Sequence, residues 1–500
     1  MNTKNSYSRF SKWFHRPVDG ATLGLFRMCW GVFMLYEALW RLPHAANVYS
    51  GEYFHFKYQL FTWVVELPAS WMVAFEMLIL AVAALGVLLG VLFRTSSVIF
   101  TLIYVHLFLI DEAYYNNYIY FALLISILLA FTGADKTFSV RSYRSRDNES
   151  VAIPRAVPFW NYFLLRAQII IFYFYGGIAK LNVDWLSAQP LKHWFQNSVS
   201  IRYPMTWFAH QDWFAWAVAY GGIFINLGAP LLLLWRRTRT FAIVALIAYH
   251  LMNSRLFMDG LFPYLAIVGI IVFLEPSGGR YLWGRFQKFV IGASNVRSLE
   301  CSSLSHLRSK VKKRRLVILW IVIYLSLQVA FPLRAYIFSD SSTWTEVGDK
   351  FSWTMRLRNK EAFVKFRFSH PEAEIWLNEN SALSPRLTAA QVTAMSKHPW
   401  MMLQYARELD RILSENSMPD TKITVISVAS LSARPYQVMI DPTADLTEID
   451  YPFWGVADWI LPLAANPLYE SRPLTREGRM RAIMRALQTY ADAHADSIFL

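Results

Sequence analysis

The residues in this sequence best placed to do chemistry are polar groups in or beside long apolar runs. Lys180 closes the run Phe172–Tyr173–Phe174–Tyr175–Gly176–Gly177–Ile178–Ala179, and Asp184 and Trp185 follow it. An amine acts as a base near neutral pH only where burial disfavours its ammonium form, and an apolar surrounding does that. If a helix continues through Lys180, then Tyr173, Gly177 and Lys180 share a face, and the glycines leave room for a flat ligand beside the amine. The plainer alternative is a lysine reaching to the headgroups with Trp185 as interfacial anchor, and position alone favours it. Two more clusters matter: Asn116, Asn117 and Tyr118 between the third and fourth apolar runs, and His250, Asn253, Ser254 and Arg255 at the end of the seventh. A lone His250 is more often a satisfied core histidine, but ionisable groups inside spans are costly unless they line a cavity. Arg27 and Arg166 sit near the opposite ends of their runs. They read as snorkelling or paired with a carboxylate in the bundle, and Gln168 as an interhelical hydrogen-bond donor.

The elements that must position these groups are membrane helices. Among 500 residues 55% are hydrophobic and only 17% charged, which is too little polar surface for an ordinary globular protein. Apolar runs fall at Leu23–Trp40, Trp71–Phe93, Val98–Ile110, Ile119–Phe131, Phe159–Gly177, Trp213–Trp235, Phe241–Met252, Phe262–Leu274 and Leu316–Phe331. They predict a polytopic α-helical membrane bundle of about nine spans, with breaks or re-entrant segments around Asp111–Asn117 and Ser254–Gly260 because several runs are short. Basic residues occupy every second connection: the arm before Pro17, Arg94, Thr132–Pro158, Trp235–Thr240 and Pro276–Arg315. These segments hold more positive charge than the whole chain's net +14, so the other connections are net acidic. The positive-inside rule then puts the N-terminus in the cytoplasm and the chain from about Pro332 outside. That placement assigns the basic charge to anionic lipid rather than nucleic acid. All three polar clusters fall on the outer side. The first run contains Arg27 and Glu37 and has no small-residue cleavage site, so no cleavable signal peptide is expected. The two cysteines, Cys29 and Cys301, cannot staple an exported domain.

Residues 1–332 therefore read as a membrane domain and 333–500 as an extracytoplasmic α+β domain. Phe363–Phe368, Ala373–Asn378, Ile423–Val428 and Tyr436–Ile440 alternate like strands, while Thr388–Ser414 and Arg476–Ala493 read as amphipathic helices. No internal repeat, phosphate loop or metal-spaced Cys/His cluster is present in the sequence.

A known family comes into view along the whole path. The stretches Arg16–Pro17–Val18–Asp19–Gly20–Ala21–Thr22–Leu23 with Phe26–Arg27 and Gly31, Tyr115–Asn116–Asn117–Tyr118, and Val157–Pro158–Phe159–Trp160–Asn161–Tyr162 come first. Leu165–Arg166–Ala167–Gln168, Gly177–Ile178–Ala179–Lys180–Leu181 and His250–Leu251–Met252–Asn253–Ser254 follow in order. Together they resemble the vitamin K-dependent gamma-glutamyl carboxylases and their bacterial relatives, which carry a horizontally transferred transmembrane domain. Trp344–Thr345, Phe351–Ser352–Trp353–Thr354–Met355 and Arg434–Pro435–Tyr436 through Asp441–Pro442 resemble segments near that family's glutamate-binding region. The likeness runs from about Arg16 to Leu463, short of the C-terminal extension of the animal enzymes, and this points to a bacterial cytoplasmic membrane.

In that family a reduced vitamin K hydroquinone is deprotonated and, with oxygen, becomes a base strong enough to take a γ-proton from a protein glutamate. The carbanion then captures carbon dioxide and the quinone leaves as an epoxide. The resemblance implies Lys180 as the catalytic base with Tyr118 and His250 beside it. It implies Asn116, Asn117, Tyr173, Gly177 and Asn253 around a vitamin K or menaquinone-type hydroquinone, and Trp353, Met355 and Arg434 near an exported glutamate-bearing substrate. The animal enzymes have histidine where this chain has Tyr118, and a tyrosine cannot hold a proton near neutral pH as imidazole does. Three functions follow in order: a glutamate carboxylase, a quinone epoxidase that carboxylates nothing, and a non-catalytic membrane scaffold.

Overall fold

A computed structural model describes residues 3–144, 155–197, 201, 205–257, 260–291, 311–337, 342–370, 373–376, 386–464 and 475–494. Each expected apolar run coincides with a helix: α1 (Ala21–Arg41), α2 (Ser70–Leu89), α3 (Phe93–Ile110), α4 (Asn117–Ala130), α5 (Trp160–Ile178), α6 (Asp212–Leu234), α7 (Arg239–Leu256) and α8 (Phe262–Ile270), then, after α9 (Gly278–Ile291), α10 (Val311–Ile337). Among the described residues four helices, Ser70–Leu89, Phe93–Ile110, Asp212–Leu234 and the stretch Arg314–Ile337 of α10, are long and apolar enough to cross a membrane, and α4 and the stretch Phe262–Phe273 that begins with α8 are shorter apolar helices. Cys301 lies outside the described residues.

Two short strands explain why separated sequence stretches read as one pattern. β1 (Pro17–Asp19) pairs antiparallel with β2 (Ala156–Pro158), which sets the starts of α1 and α5 side by side. The Tyr162 hydroxyl donates to the Asp19 carbonyl at 2.8 Å and accepts from the Leu23 amide at 3.1 Å. Arg280 closes the corner with a bidentate pair to Asp19 at 2.7 and 2.9 Å. At Gly31 of α1 a Cβ would lie 2.6 Å from the Leu88 Cα, so a glycine is what lets α1 and α2 pack this closely.

Among the described residues Arg27 of α1 forms no ion pair, whereas Arg41 of the same helix pairs with Glu37 at 2.6 Å. Arg27 is fully buried and spends its guanidinium on backbone carbonyls of Val87, Leu88, Ala134 and Phe138 at 2.5 to 3.2 Å, tying α1 to the ends of α2 and α4. Arg166 likewise donates to the carbonyls of Val272 and Leu274. Gln168 accepts from the Tyr324 hydroxyl of α10 at 2.7 Å, so it is an interhelical acceptor rather than the donor expected.

In the C-terminal domain β3 (Lys360–His370), β4 (Ala373–Trp376), β5 (Lys422–Leu431) and β6 (Gln437–Val438) form an antiparallel sheet in the order β4-β3-β5-β6. Leu377 and Asn378 of the expected strand lie outside the described residues. The single helix expected over Thr388–Ser414 is two, α11 (Ala389–Met395) and α12 (Pro399–Glu415). Pro399 disfavours helical backbone at the residue before it, and it sits at the first position of α12, where no amide partner is needed. The helix expected at the C-terminal end is present as α13 (Arg476–Ala493).

One sheet face packs on α11 and α12 through Val364, Phe366, Phe368, Ile423 and Val425. The other receives α13 through Ile483 and Ala486. Gln391 completes a capping box with Thr388 and donates to Asp111 at 2.7 Å, and Asp111 also meets His55 at 3.1 Å. This buried polar contact fastens α11 to the end of α3.

Candidate functional site

The site is built where α5 stops. The helix ends at Ile178, and the Asn182 side chain then accepts from the Trp185 amide at 3.0 Å, starting a new short helix. Lys180 is left in the bend between them. It is 5% exposed, and its Nζ donates to the Gly176 carbonyl at 2.6 Å and lies 5.4 Å from the Trp185 ring centre. Burial pushes its pKa down to about 8.

Lys180 lines a cavity of about 600 Å3 together with Asn116, Asn117, Tyr118, Tyr173 and His250. Asn253 and Met355 line it as well, so eight of the residues singled out in the sequence converge on one space. Its apolar wall includes Phe172, Phe257 and Phe262. The Tyr173 hydroxyl lies 2.7 Å from His250 Nε2, and among the described residues the buried Nδ1 of the same ring has no partner. Asn116 caps α4 by accepting from the Tyr118 amide at 3.1 Å, and the Asn117 carbonyl oxygen accepts from the Tyr115 hydroxyl at 3.0 Å.

Three expected residues are placed differently. Gly177 faces α6, where an added Cβ would lie 2.5 Å from the Leu227 side chain, so it makes room for a helix and not for a ligand. Trp353 is fully buried between Tyr120 and Phe172, at 4.7 and 5.2 Å between ring centres, and does not line the cavity. Arg434 forms a bidentate pair with Asp184 at 2.7 and 2.5 Å, joining the C-terminal domain to the bundle outside the cavity wall. Tyr118 lines the cavity, but its hydroxyl accepts from Arg41 at 2.6 Å and donates to Glu37 at 3.2 Å.

The rest of the wall was not anticipated. Asn226 and Tyr249 come from α6 and α7, and Asp349, Lys350, Arg356 and Arg358 come from the segment leading into β3. This segment dips into the bundle. Phe351 packs among Tyr58, Phe108, Tyr115 and Tyr120, and its amide donates to the Tyr115 hydroxyl at 2.8 Å. Glu346, Phe351, Trp353 and Arg356 all have φ between 49° and 65°, a left-handed conformation costly for these residue types.

Asp349 accepts from Arg358 at 2.9 Å and from the Thr354 hydroxyl at 2.6 Å, and Arg358 also pairs with Glu346. Burial would raise the Asp349 carboxyl, but these donors hold it below the usual carboxylate range. The sequence signal for this wall was a cluster of charges and aromatics just after the last apolar run. For Asn226 it was an amide inside a span, which the intramembrane-polarity rule flags.

Bundle, sheet domain and the chamber between them define a protein with several apolar helices and a partly open site, lined by aromatic and polar side chains, that carries a buried amine. Residues 15–277, more than half of the chain, match the HTTM domain family, and residues 313–466 match the vitamin K-dependent gamma-carboxylase lumenal domain. The chain belongs to the vitamin K-dependent gamma-carboxylase family. Membership implies an enzyme of the carboxylase type that uses reduced vitamin K at a membrane and a glutamate-containing substrate. No solved structure matches the chain.

Proposed function

We propose that the chamber is where a reduced vitamin K or menaquinone-type hydroquinone, oxygen and carbon dioxide meet the glutamate side chain of an exported protein. The observation that carries this reading is that Lys180, Asn117 and His250, from three separate parts of the bundle, line one chamber to whose wall the segment leading into β3 also contributes. The residues suit the cofactor. The volume falls in the range of small-molecule sites, the wall combines aromatic rings with polar groups, and among the described residues His250 Nδ1 is a buried polar atom without a partner. When bound, the reduced quinone supplies, with oxygen, the strong base that no side chain here can be.

The chain's own groups do the rest. With its pKa near 8, Lys180 has a sizeable neutral fraction at neutral pH, and Nζ accepts the hydroquinone's hydroxyl proton. The Gly176 carbonyl fixes the amine. Tyr173 orients the His250 ring through Nε2, leaving Nδ1 to bond a quinone oxygen. Phe172, Phe257 and Phe262 exclude water from the basic species. Lys350 and Arg356 provide positive charge for the substrate carboxylate, with Met355 as apolar contact. On the positive-inside orientation this domain lies outside a bacterial cytoplasmic membrane.

One observation favours a second reading, epoxidation without carboxylation. The Tyr118 hydroxyl is committed to Arg41 and Glu37 and not to a reacting group. The two readings separate in a quinone-epoxide assay on the protein in lipid nanodiscs. Lys180→Ala is expected to reduce epoxide formation to background. Parental turnover in that variant would exclude Lys180 as the base. Epoxide formation indifferent to both carbon dioxide and peptide would favour the second reading.

A further inference from the structure

Helix α13 lies beyond both stretches matched to the family, and its charges oppose its position. Arg476, Arg479 and Arg481 fall in its first two turns, where free amides already make the helix end electropositive. Cations there bring the helix no stability. Arg485 follows one turn later, interleaved with Met480 and Met484, which are 49% and 59% exposed. Ile483, Ala486 and Leu487 pack on Phe363, Ile426 and Val428, so Arg481 and Arg485 turn outward from the sheet, while Arg476 and Arg479 continue the sheet-facing side of the helix toward the start of β3.

The basic surface continues onto the sheet. The period of two puts Lys365 and Arg367 on the same face of β3 as Phe363. The register sets them opposite Ile426 and Thr424, and sets Lys422 opposite Ser369. At the other end Arg479 lies 3.8 Å from Glu361, which also accepts from the Tyr436 hydroxyl at 2.9 Å and lies 3.6 Å from His193. Glu361 follows Arg358 of the chamber wall by three residues, so the strip begins beside the chamber and runs away from it along the sheet.

We infer that this face, α13 with the adjoining strip of β3 and β5, docks an acidic segment of the protein substrate while one of its glutamates is presented to the chamber. The inference rests on the glutamate-bearing substrate proposed above. A glutamate-rich chain has the complementary charge, and the planar guanidinium pairs with carboxylates through two hydrogen bonds at once. Such a surface acts mainly through encounter and orientation and weakens with salt.

The test is fluorescence anisotropy of a labelled peptide rich in glutamate, and of its glutamine counterpart, on the full-length protein in nanodiscs. The acidic peptide is expected to bind and to be released by salt. Arg476→Gln/Arg481→Gln/Arg485→Gln is expected to weaken it at least about tenfold while circular dichroism and the melting midpoint stay unchanged, because these side chains are exposed. Equal affinity for the two peptides, or undiminished binding by the triple variant, would overturn the inference. So would a triple variant that loses retention of phosphatidylglycerol but not of peptide, which would mark a lipid-facing helix. The readout needs no turnover, so its failure is separate from failure of the chamber assignment.

Discussion

Among the described residues Lys180 has one hydrogen-bond acceptor, the Gly176 carbonyl, where a buried ammonium would need three. Burial away from water is what lowers its pKa. The cost of burying the charge is full below about 8 and fades as pH rises toward the unfolded value of 10.5, so this residue's contribution to stability rises with pH across that window. On the proposed mechanism catalysis runs the same way, because only the neutral amine accepts a proton. The rate of quinone oxidation should climb with pH and level off above about 8. A flat profile through that range would remove Lys180 from the proton transfer. The lysine was legible in the sequence as a cation at the end of an apolar run, but its burial was not, since a snorkelling lysine gives the same pattern. What decides between them is the bend at Asn182 and the Trp185 ring set beside the amine.

The two glycines of α5 differ in what they face, and spacing alone could not have told them apart. A Cβ at Gly177 would press on Leu227 at 2.5 Å and Asn226 at 3.2 Å, whereas at Gly176 the nearest atom is Met355 Cε at 3.4 Å, an ordinary contact. Gly177→Ala should therefore cost about 1–3 kcal/mol through the α5–α6 contact, while Gly176→Ala should melt within a degree or two of the parent. Thermal unfolding of both variants in the same detergent checks this, and equal midpoints would mean that α5 and α6 are not held by that approach. The apolar runs showed the helices because membrane helices carry continuous hydrophobicity. The break before Pro399 hid inside an amphipathic pattern that continues on both sides of it. The Glu346–Arg358 segment was harder still. Besides Gly348, its left-handed residues Glu346, Phe351, Trp353 and Arg356 are not glycines, and contacts such as the rings of Tyr58, Phe108, Tyr115 and Tyr120 around Phe351 hold the backbone in that conformation.

At the scale of the whole molecule, two domains are fastened together around the chamber. Asp184–Arg434 holds one side, the His55–Asp111–Gln391 contact holds another, and Phe351 and Trp353 are buried in the bundle's own core. Contacts of this kind join residues hundreds of positions apart, so the sequence marked Arg434 as important without showing that its part is to seat one domain on the other. The result is a chamber lined from both the helical bundle and the segment leading into β3, an arrangement that suits the hydrophobic cofactor and protein substrate proposed above. The most direct measurement of that claim is mass spectrometry of a co-expressed glutamate-bearing candidate substrate, incubated with the protein in nanodiscs, reduced vitamin K, oxygen and isotope-labelled bicarbonate. The labelled carboxyl group should appear on glutamate in the parent and be absent in Lys180→Ala. Continued quinone turnover with no label on any glutamate would contradict carboxylation as the function of this chamber.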